Sequence, residues 1–511
     1  MKKVLAAVLA AGLLLSGCGV IRDNDQVGAY VSTSVLDMTQ KGDTGRVLTS
    51  AAVYFYNDTS KTLTAEPRKL IVETDTNPAE VAVEKLLEGP AESSGLKSVA
   101  PFGIKLDYIE FSRQVANVYL LYDGEPMGAR EEYILKLAIA NTVTDILGAA
   151  YICVFINGMQ TGIAGEPTAP LKKQTGSVDA AWATASAPYT EGKSILTAVE
   201  TTPDESAPPQ PEESAPPTES AVPVELELQT VLYYLSADGG YLLPEVHNIR
   251  YTQGHVIEAL VAELKKNPNN TALMKSPLPN DAELLSSSLT DTDGGRLLTL
   301  DFSKIADLGA SDAVLSYAAV IYTLTGFVPG VDTVALSVAG QPVTWIEGMN
   351  RLYDGIQRSD FVGYIGSSAP LYFADKNSDL LLEVSRSMEQ EKTWSARARV
   401  LEMLKGPLQG DGKNVWPVMP PGVTADDILS VDVYGDTAYV NLSQHFKDVC
   451  ANMSPKTEML LVYAIVNTIT AMDGVSKVQF LIESQQIQEL AGTLCMADPF
   501  LKNYGIIKKS G

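Results

Sequence analysis

The stretch Ala138-Ile139-Ala140-Asn141-Thr142-Val143-Thr144 decides the fold, because it recurs twice further along the chain. Each copy reads alanine, a branched apolar residue, two variable residues, threonine, an apolar residue and threonine. In the first copy the apolar and small residues from Ile134 to Ile146 return at helical spacing. Each copy therefore predicts a helix with one face turned towards a core. The later copies are Ala319-Val320-Ile321-Tyr322-Thr323-Leu324-Thr325 and Ala464-Ile465-Val466-Asn467-Thr468-Ile469-Thr470.

A second shared block lies upstream of each of these helices. It begins with an apolar and aromatic strand and ends with a helix that stops at a proline, since proline cannot continue a helix. From the strand tyrosine to that proline there are 36, 35 and 35 residues. Constant spacing makes this block a repeat. The anchor pairs are Tyr54 and Pro90, Tyr233 and Pro268, and Tyr372 and Pro407.

Alternating stretches around a turn predict a strand hairpin between the two helices of each copy, and one further strand follows the second helix. The order is strand, helix, strand hairpin, helix, strand. This order predicts an α+β fold of three tandem small domains, each a mixed β-sheet of about four strands with two helices packed on one face. The predicted hairpins lie at 105–121, 283–302 and 428–442, and the last strands at 151–156, 333–338 and 477–482.

Composition restricts the function. The 511 residues carry a formal net charge of −24, which repels nucleic acid. Four cysteines and three histidines in this length favour neither a zinc cluster nor a disulfide-dense scaffold. We expect no cofactor, no catalytic metal and no nucleic-acid partner. The acidic run at 291–295 resembles the start of a calcium loop, but position 302 is phenylalanine where such a loop needs glutamate, so a hairpin turn is the preferred interpretation.

The N-terminus carries an export signal. Met1-Lys2-Lys3 is basic, and Val4 to Leu15 is an apolar run too short to span a bilayer. It ends in Leu15-Ser16-Gly17-Cys18, which resembles the lipobox of bacterial lipoproteins, where the cysteine is acylated and becomes the mature N-terminus. An ordinary signal peptide with an incidental cysteine is the alternative, and export follows from either. Stable membrane attachment through this lipid predicts a location on the outer face of the cell membrane.

A spacer interrupts the repeats. Residues 199–223 contain seven prolines and six acidic residues and no lysine, arginine or aromatic residue, a composition that cannot bury a core. In a polyproline II conformation this spacer would reach roughly 75 Å. The connection from 347 to 369 holds enough apolar residues to pack the second domain against the third, so we expect proteolysis in the spacer to release the first domain alone.

The repeat order, the proline helix end and the Ala-x-x-x-Thr-x-Thr helix together resemble the GerMN domains of the GerM-like sporulation and spore germination lipoproteins. The resemblance implies extracytoplasmic, non-enzymatic modules similar to the ring-building domains of secretion-type assemblies, whose partners would be like domains or other envelope proteins. Three copies, where two are common, depart from the family pattern. The predicted boundaries are a signal peptide at 1–17, a lipidated tether at 18–47, GerMN-like domains at 48–165, 229–346 and 368–490, a linker at 166–228, a connector at 347–367 and a C-terminal tail at 491–511.

Two classes of function remain. The favoured one is a membrane-anchored, non-catalytic interaction scaffold in an envelope complex. The alternative is a cell-wall-directed enzyme or a lipoprotein that binds glycan or another ligand. Asn141 and Asn467 on the second helix are either partner contacts or, as we prefer, buried caps for a neighbouring strand. Cys153 is expected to be a buried thiol, while the sequence leaves open whether Cys450 and Cys495 form a disulfide.

Overall fold

A computed structural model of the chain describes residues 46–73, 76–163, 165–187, 225–292, 295–306, 313–346, 355–408, 411–472 and 474–508. The predicted signal peptide, the lipobox and the Pro-rich spacer lie outside these residues. The described part consists of three modules, which we number along the chain: module 1 (46–187), module 2 (225–365) and module 3 (366–508).

Module 1 follows the predicted order, with one additional long strand after the first. Its elements are β1 (Arg46–Asn57), β2 (Thr62–Glu73), α1 (Pro78–Leu87), β3 (Lys105–Ser112), β4 (Val115–Leu121), α2 (Ala129–Leu147), β5 (Tyr151–Ile156), β6 (Met159–Gln160) and α3 (Val178–Ser186).

Module 2 repeats this order. Its elements are β7 (Glu225–Ser236), β8 (Leu242–Thr252), α4 (Val256–Leu264), β9 (Met274–Lys275), β10 (Leu284–Thr292), β11 (Gly295–Phe302), α5 (Ala313–Phe327), β12 (Thr333–Val338), β13 (Gln341–Pro342) and β14 (Ile356–Gln357).

Module 3 adds two short helices to the shared pattern. Its elements are β15 (Gly366–Asp375), β16 (Leu381–Glu389), α6 (Gln390–Thr393), α7 (Ala396–Leu404), β17 (Val415–Trp416), β18 (Ile428–Tyr434), β19 (Thr437–Leu442), α8 (Gln444–Cys450), α9 (Pro455–Ile469), β20 (Lys477–Ile482), β21 (Gln485–Gln486) and β22 (Phe500–Leu501).

The mixed sheet of each module confirms the predicted fold class. In module 1 the order is β3-β4-β5-β6, with β4 and β5 parallel and the other pairs antiparallel. Apolar residues on one face of this sheet, such as Val118 and Val154, pack in a core with Leu135 and Ile139 of α2. We call that side the inner face and the opposite side the outer face. Modules 2 and 3 have the same strand arrangement.

The first predicted strand does not join this sheet. β1 instead forms a long antiparallel hairpin with β2. The sequence predicts only a connection to the first helix in the region that β2 occupies. The turn forms because the side-chain oxygen of Asn57 accepts hydrogen bonds from the backbone of Thr59 and Ser60, while Lys61 takes a φ of 56°. The same hairpin recurs as β7–β8 and β15–β16.

Each module also ends later than predicted, because a short extension pairs with the last strand of its sheet. Ile152 pairs with Leu171, Val334 with Ile356 and Val478 with Phe500, all antiparallel. The start of the predicted linker, the end of the predicted connector and most of the predicted tail are therefore folded parts of modules. The extension buries apolar side chains, among them Val178, Phe361 and Ile506.

Modules 1 and 2 share one core, so the expectation that module 1 stands apart is wrong. Outer-face residues Val115, Tyr119, Cys153 and Phe155 belong to the same apolar cluster as the core of module 2. Module 3 also contacts module 1: the Ser112 hydroxyl donates to the Gly366 carbonyl, and the Phe111 and Trp394 rings lie 6.0 Å apart. The predicted contact between modules 2 and 3 is present where β8 lies against β15, with the Tyr241 side chain next to Gly366.

Candidate interaction surfaces

The first shared threonine of the repeat binds the first hairpin in all three modules. The Oγ1 atoms of Thr142, Thr323 and Thr468 accept hydrogen bonds from the backbone N–H of Tyr54, Tyr233 and Tyr372, at 3.2, 3.2 and 3.1 Å. All three hydroxyls are buried, where an unpaired backbone donor would be costly. The threonine thus fixes the second helix against the strand that carries the tyrosine.

The helix asparagines Asn141 and Asn467 are buried, as in the preferred interpretation, but they hold the extension and not a strand. The Asn141 amide donates to the Gln174 carbonyl at 2.8 Å and accepts from the Gln174 N–H at 2.7 Å. Asn467 makes the same pair of bonds with Asn503, at 3.1 and 2.9 Å. Both asparagines are fully buried, so neither is a partner contact.

A basic residue occupies the same position in every extension, two residues after the paired position. These residues are Lys173, Arg358 and Lys502, and each cation lies over the strand tyrosine of its own module. The distances to the ring centroids are 5.4 Å for Lys173 and Tyr54, 5.4 Å for Arg358 and Tyr233, and 5.7 Å for Lys502 and Tyr372. Such stacking is favourable because the ring face is negative. We call each tyrosine with its cation a tyrosine–cation patch.

In module 2 this patch docks on the outer face of module 1, where it forms a buried polar network. Arg358, only 3% exposed, donates from Nε to the Tyr119 hydroxyl at 2.7 Å and from Nη2 to the Tyr233 hydroxyl at 3.0 Å. Tyr119 in turn donates to the carboxylate of Glu110 at 2.8 Å, and Tyr322 donates to the same carboxylate at 3.0 Å. The Asn117 amide donates to Glu110 at 3.1 Å and to the Tyr233 hydroxyl at 2.9 Å. We call this set the junction network; its members are Glu110, Asn117, Tyr119, Tyr233, Tyr322 and Arg358.

The charges in the junction network compensate each other through the tyrosine hydroxyls. Burial alone would lower the pKa of Arg358, but the neighbouring tyrosines and Glu110 outweigh it and raise the pKa above the usual value. Burial, with Glu110 adding to it, raises the pKa of Tyr322 well above the ordinary range. The arginine is therefore charged and the tyrosine neutral at physiological pH. The Arg358 guanidinium also lies 4.4 Å from the Phe155 ring centroid and 4.0 Å from that of Tyr322.

The patch of module 3 has no such cover within the described residues. Lys502 lies 5.4 Å from the ring of Tyr504, which is 74% exposed, and the adjacent Leu501 is 61% exposed. In module 1 the patch is neutralised internally, since Lys173 pairs with Asp145, which also accepts a hydrogen bond from the Tyr54 hydroxyl at 2.6 Å. Other large apolar side chains are exposed at scattered positions, among them Phe102, Leu285, Trp345 and Trp416.

The remaining candidate residues stay apart. His247 lies between Glu245 and Glu263, His255 is exposed, and His445 lies 2.9 Å from Asp427. Across the described ranges, no three His, Cys, Asp or Glu side chains come together in a way that would hold a metal ion. Of the run at 291–295, Asp291 and Thr292 end β10 and Gly295 begins β11, and these strands pair antiparallel; residues 293 and 294 lie outside the described residues.

The thiols differ in environment. Cys153 is buried as predicted, and burial raises its pKa to about 11. Cys450 is also buried, whereas Cys495 is exposed, and both are free. The predicted lipidation residue Cys18 and its lipobox, Leu15, Ser16 and Gly17, lie outside the described residues. No helix of the described part is both long enough and apolar enough to cross a bilayer.

One cleft of about 480 Å³ opens in module 1 between α2, β5 and the extension. Its buried Lys136 is engaged by Glu132 at 2.6 Å and by the Thr161 carbonyl at 2.8 Å. Gln160 also lines the cleft, and its buried Oε1 accepts no hydrogen bond from the described residues. Glu132 is the one carboxylate among the described residues that line this cleft, whereas glycoside hydrolysis needs two opposed carboxylates.

The repeated cations were missed by sequence reasoning, because they lie in segments assigned to the linker, connector and tail. A usable signal existed. A basic residue follows the aligned position of the last strand by 21 residues in module 1 (Ile152 to Lys173) and by 24 in modules 2 and 3 (Val334 to Arg358, Val478 to Lys502).

Comparison with known proteins agrees with this repeat. The Germane family, described as "Sporulation and spore germination", matches residues 52–161, 231–344 and 370–488. The tandem GerMN domains of the sporulation protein GerM from Bacillus subtilis are 17% identical, over 56% of this chain and 100% of that chain, with a TM-score of 0.23. The first GerMN domain of the same protein is 22% identical (26% and 96% coverage, TM-score 0.21), and a putative lipoprotein from Clostridium perfringens is 24% identical (27% and 88%, TM-score 0.19). A search of curated proteins finds no match.

Because the three family matches together span more than half of the chain, it belongs to the Germane family of sporulation and spore germination, as a GerM-like protein with three repeats.

Proposed function

We propose that this protein is a non-catalytic scaffold that binds like modules in an envelope complex during sporulation or germination. The observation that carries this proposal is the junction between modules 1 and 2, in which one repeat binds another through a sheet face and a tyrosine–cation patch. The polar residues that recur in the repeat hold elements or modules together. A duplicated catalytic domain would instead be expected to repeat residues that face a cleft.

The proposal includes attachment to the outer face of the cell membrane through a lipid on Cys18. Its support is the lipobox-like run Leu15-Ser16-Gly17-Cys18 behind a basic and apolar leader. Replacing Cys18→Ala is expected to abolish palmitate labelling and to release the protein from membranes after carbonate washing. Retention and labelling of that variant would contradict the anchor.

The scaffold is tested by crosslinking in sporulating cells and identifying the proteins recovered with the full chain. We expect other envelope proteins or further copies of the chain. The purified protein is assayed in parallel on peptidoglycan and on generic esterase and glycosidase substrates. Turnover that one point substitution abolishes, with no protein recovered by crosslinking, would overturn the scaffold.

The cleft in module 1 supports the second candidate, a lipoprotein that binds a small polar ligand. Its specific support is the unpartnered Oε1 of Gln160. A rise in melting temperature with glycan or peptide fragments, lost in Gln160→Leu and retained in Gln486→Leu on an exposed strand, would favour this candidate.

A further inference from the structure

We propose that module 3 binds module 3 of a second copy of this chain, head to tail, with the outer sheet face of one copy seated on the Lys502 patch of the next. This inference rests on the scaffold function and names its partner. The model for the contact is the junction of modules 1 and 2, in which an outer face with a buried carboxylate covers a tyrosine–cation patch.

The receiving surface is the patch of module 3. Lys502 corresponds to Arg358 by strand register, because each follows by two residues the position paired with the last strand of its sheet. Lys502 forms no ion pair with any described residue, and its Nζ lies 5.7 and 5.4 Å from the ring centroids of Tyr372 and Tyr504. The Tyr372 hydroxyl of this patch donates to Glu383 at 2.6 Å, but Lys502 itself has no carboxylate in ion-pair contact among the described residues.

The complementary surface is the outer face of β18 and β19. Asp432 pairs with Tyr439 in the register at which Glu110 pairs with Asn117. In both modules the β-strand partner, Asn117 or Tyr439, lies one residue after the position that pairs with Ile152 or Val478 of the last strand. Asp432 is half-buried and accepts a hydrogen bond from the Ser430 hydroxyl at 2.7 Å. It forms no ion pair within the described part of the chain. The face also carries two tyrosines beside the carboxylate, Tyr434 and Tyr439, as module 1 carries Tyr108 and Tyr119.

In module 3 the patch cation Lys502 and the outer-face carboxylate Asp432 are opposite in charge, and neither forms an ion pair within the described residues, although β18 also contacts β1 of module 1. Module 1 has its outer face covered by module 2, and its patch lysine is paired with Asp145. In module 2 the patch is buried, and serine occupies position 288, which corresponds to Glu110. The acidic residue on that sheet face, Asp301, accepts a hydrogen bond from the backbone of Gly340. A contact between two different surfaces of identical copies is heterologous and generates chains or closed rings.

The test is charge exchange in the purified full chain. Wild type is expected to associate with increasing concentration in sedimentation velocity. Asp432→Lys and Lys502→Glu are each expected to raise the dissociation constant at least ~10-fold, because each places like charges opposite each other. The double variant restores opposite charges across the contact and is expected to return to within ~3-fold of wild type. Asp426→Lys and Lys413→Glu reverse exposed charges elsewhere on module 3 and are expected to leave association unchanged.

The arrangement is tested with a short bismaleimide crosslinker on chains that also carry Cys18→Ala and Cys495→Ser, which remove the N-terminal thiol and the exposed thiol of the described residues. A mixture of Asp432→Cys and Lys502→Cys chains is expected to give covalent dimers, whereas either variant alone is not. A monomeric wild type, or a double variant that associates no better than the single variants, would overturn the inference. If the chain is monomeric yet is crosslinked to other envelope proteins in cells, the head-to-tail contact is wrong and the scaffold function stands.

Discussion

Replacement of Arg358 by methionine is expected to destabilise modules 1 and 2 together. The substitution removes hydrogen bonds to two tyrosine hydroxyls, to the Tyr322 carbonyl at 2.8 Å and to Thr325 Oγ1 at 3.3 Å, and it leaves Glu110, 5% exposed, without a cation. Removing one partner of a buried charge pair costs about 3–5 kcal/mol. A methionine side chain keeps part of the contact with the Phe155 ring, so we expect a loss near the lower end of that range.

The measurement is the free energy of unfolding of the full chain in urea. A probe located in modules 1 and 2 reports their unfolding transition. Arg250→Met is the matched control, because Arg250 is 81% exposed and pairs with the exposed Glu227, and surface pairs contribute about 0–1 kcal/mol. Glu110→Gln combined with Arg358→Met removes both charges, so its cost is expected to be smaller than the sum of the single costs. A loss below about 1 kcal/mol for Arg358→Met, or strict additivity, would refute the role of the junction network.

Three further predictions concern single side chains. Thr323→Val should cost about 1–3 kcal/mol of unfolding free energy by leaving a buried N–H of β7 unpaired, while Thr323→Ser retains the bond and most of the stability; equal losses would contradict this. In the native protein a thiol reagent should label Cys495 quickly and leave Cys153 and Cys450 unlabelled until urea unfolds the chain. Burial raises the pKa of Cys153 to about 11 and that of Cys450 to about 12, so neither thiol is reactive in the native state. Fast labelling of Cys153, Cys450 and Cys495 alike would be inconsistent with the structure. Burial opposes ionisation of Asp427, but hydrogen bonds, led by that from Ser443, lower its pKa to about 2 from 3.8. The stabilisation that this carboxylate contributes is therefore complete above about pH 4 and falls as the pH drops towards 2. Asp427→Asn should flatten the dependence of unfolding free energy on pH in that window, and an unchanged slope would count against this prediction.

The sequence predicted the helices and the mixed sheet because both depend on local periodicity. The apolar spacing around Ala138, Ala319 and Ala464 identified three core-facing helices, and all three alanines are fully buried. The hairpin strand β2 was missed because its sequence, with Pro67 and several charged residues, alternates poorly. It is stabilised by pairing with β1 along its whole length, which no local pattern shows.

The junction of modules 1 and 2 could not be predicted for a related reason. Glu110 and Tyr322 are 212 positions apart, and nothing in the residues around either indicates the other. Both faces of β4 are largely apolar or aromatic, so the strand pattern does not determine which distant surface packs on the outer face. The nearly continuous apolar run from Val115 to Leu121 was the available hint, because such a run is typical of a strand covered on both faces; it does not indicate which surface provides the second cover.

Differences between the three copies set how many contacts a chain with repeated modules makes. Three identical modules, each with an open acidic face and an open cation, would bind one another in several registers, and specificity needs the unwanted pairings to be weakened. Ser288 removes the carboxylate from module 2, and Asp145 neutralises the cation of module 1. Asp432 and Lys502 then remain as the complementary pair. A scaffold built in this way uses one contact to hold its own modules together and keeps a second contact of the same kind for assembly.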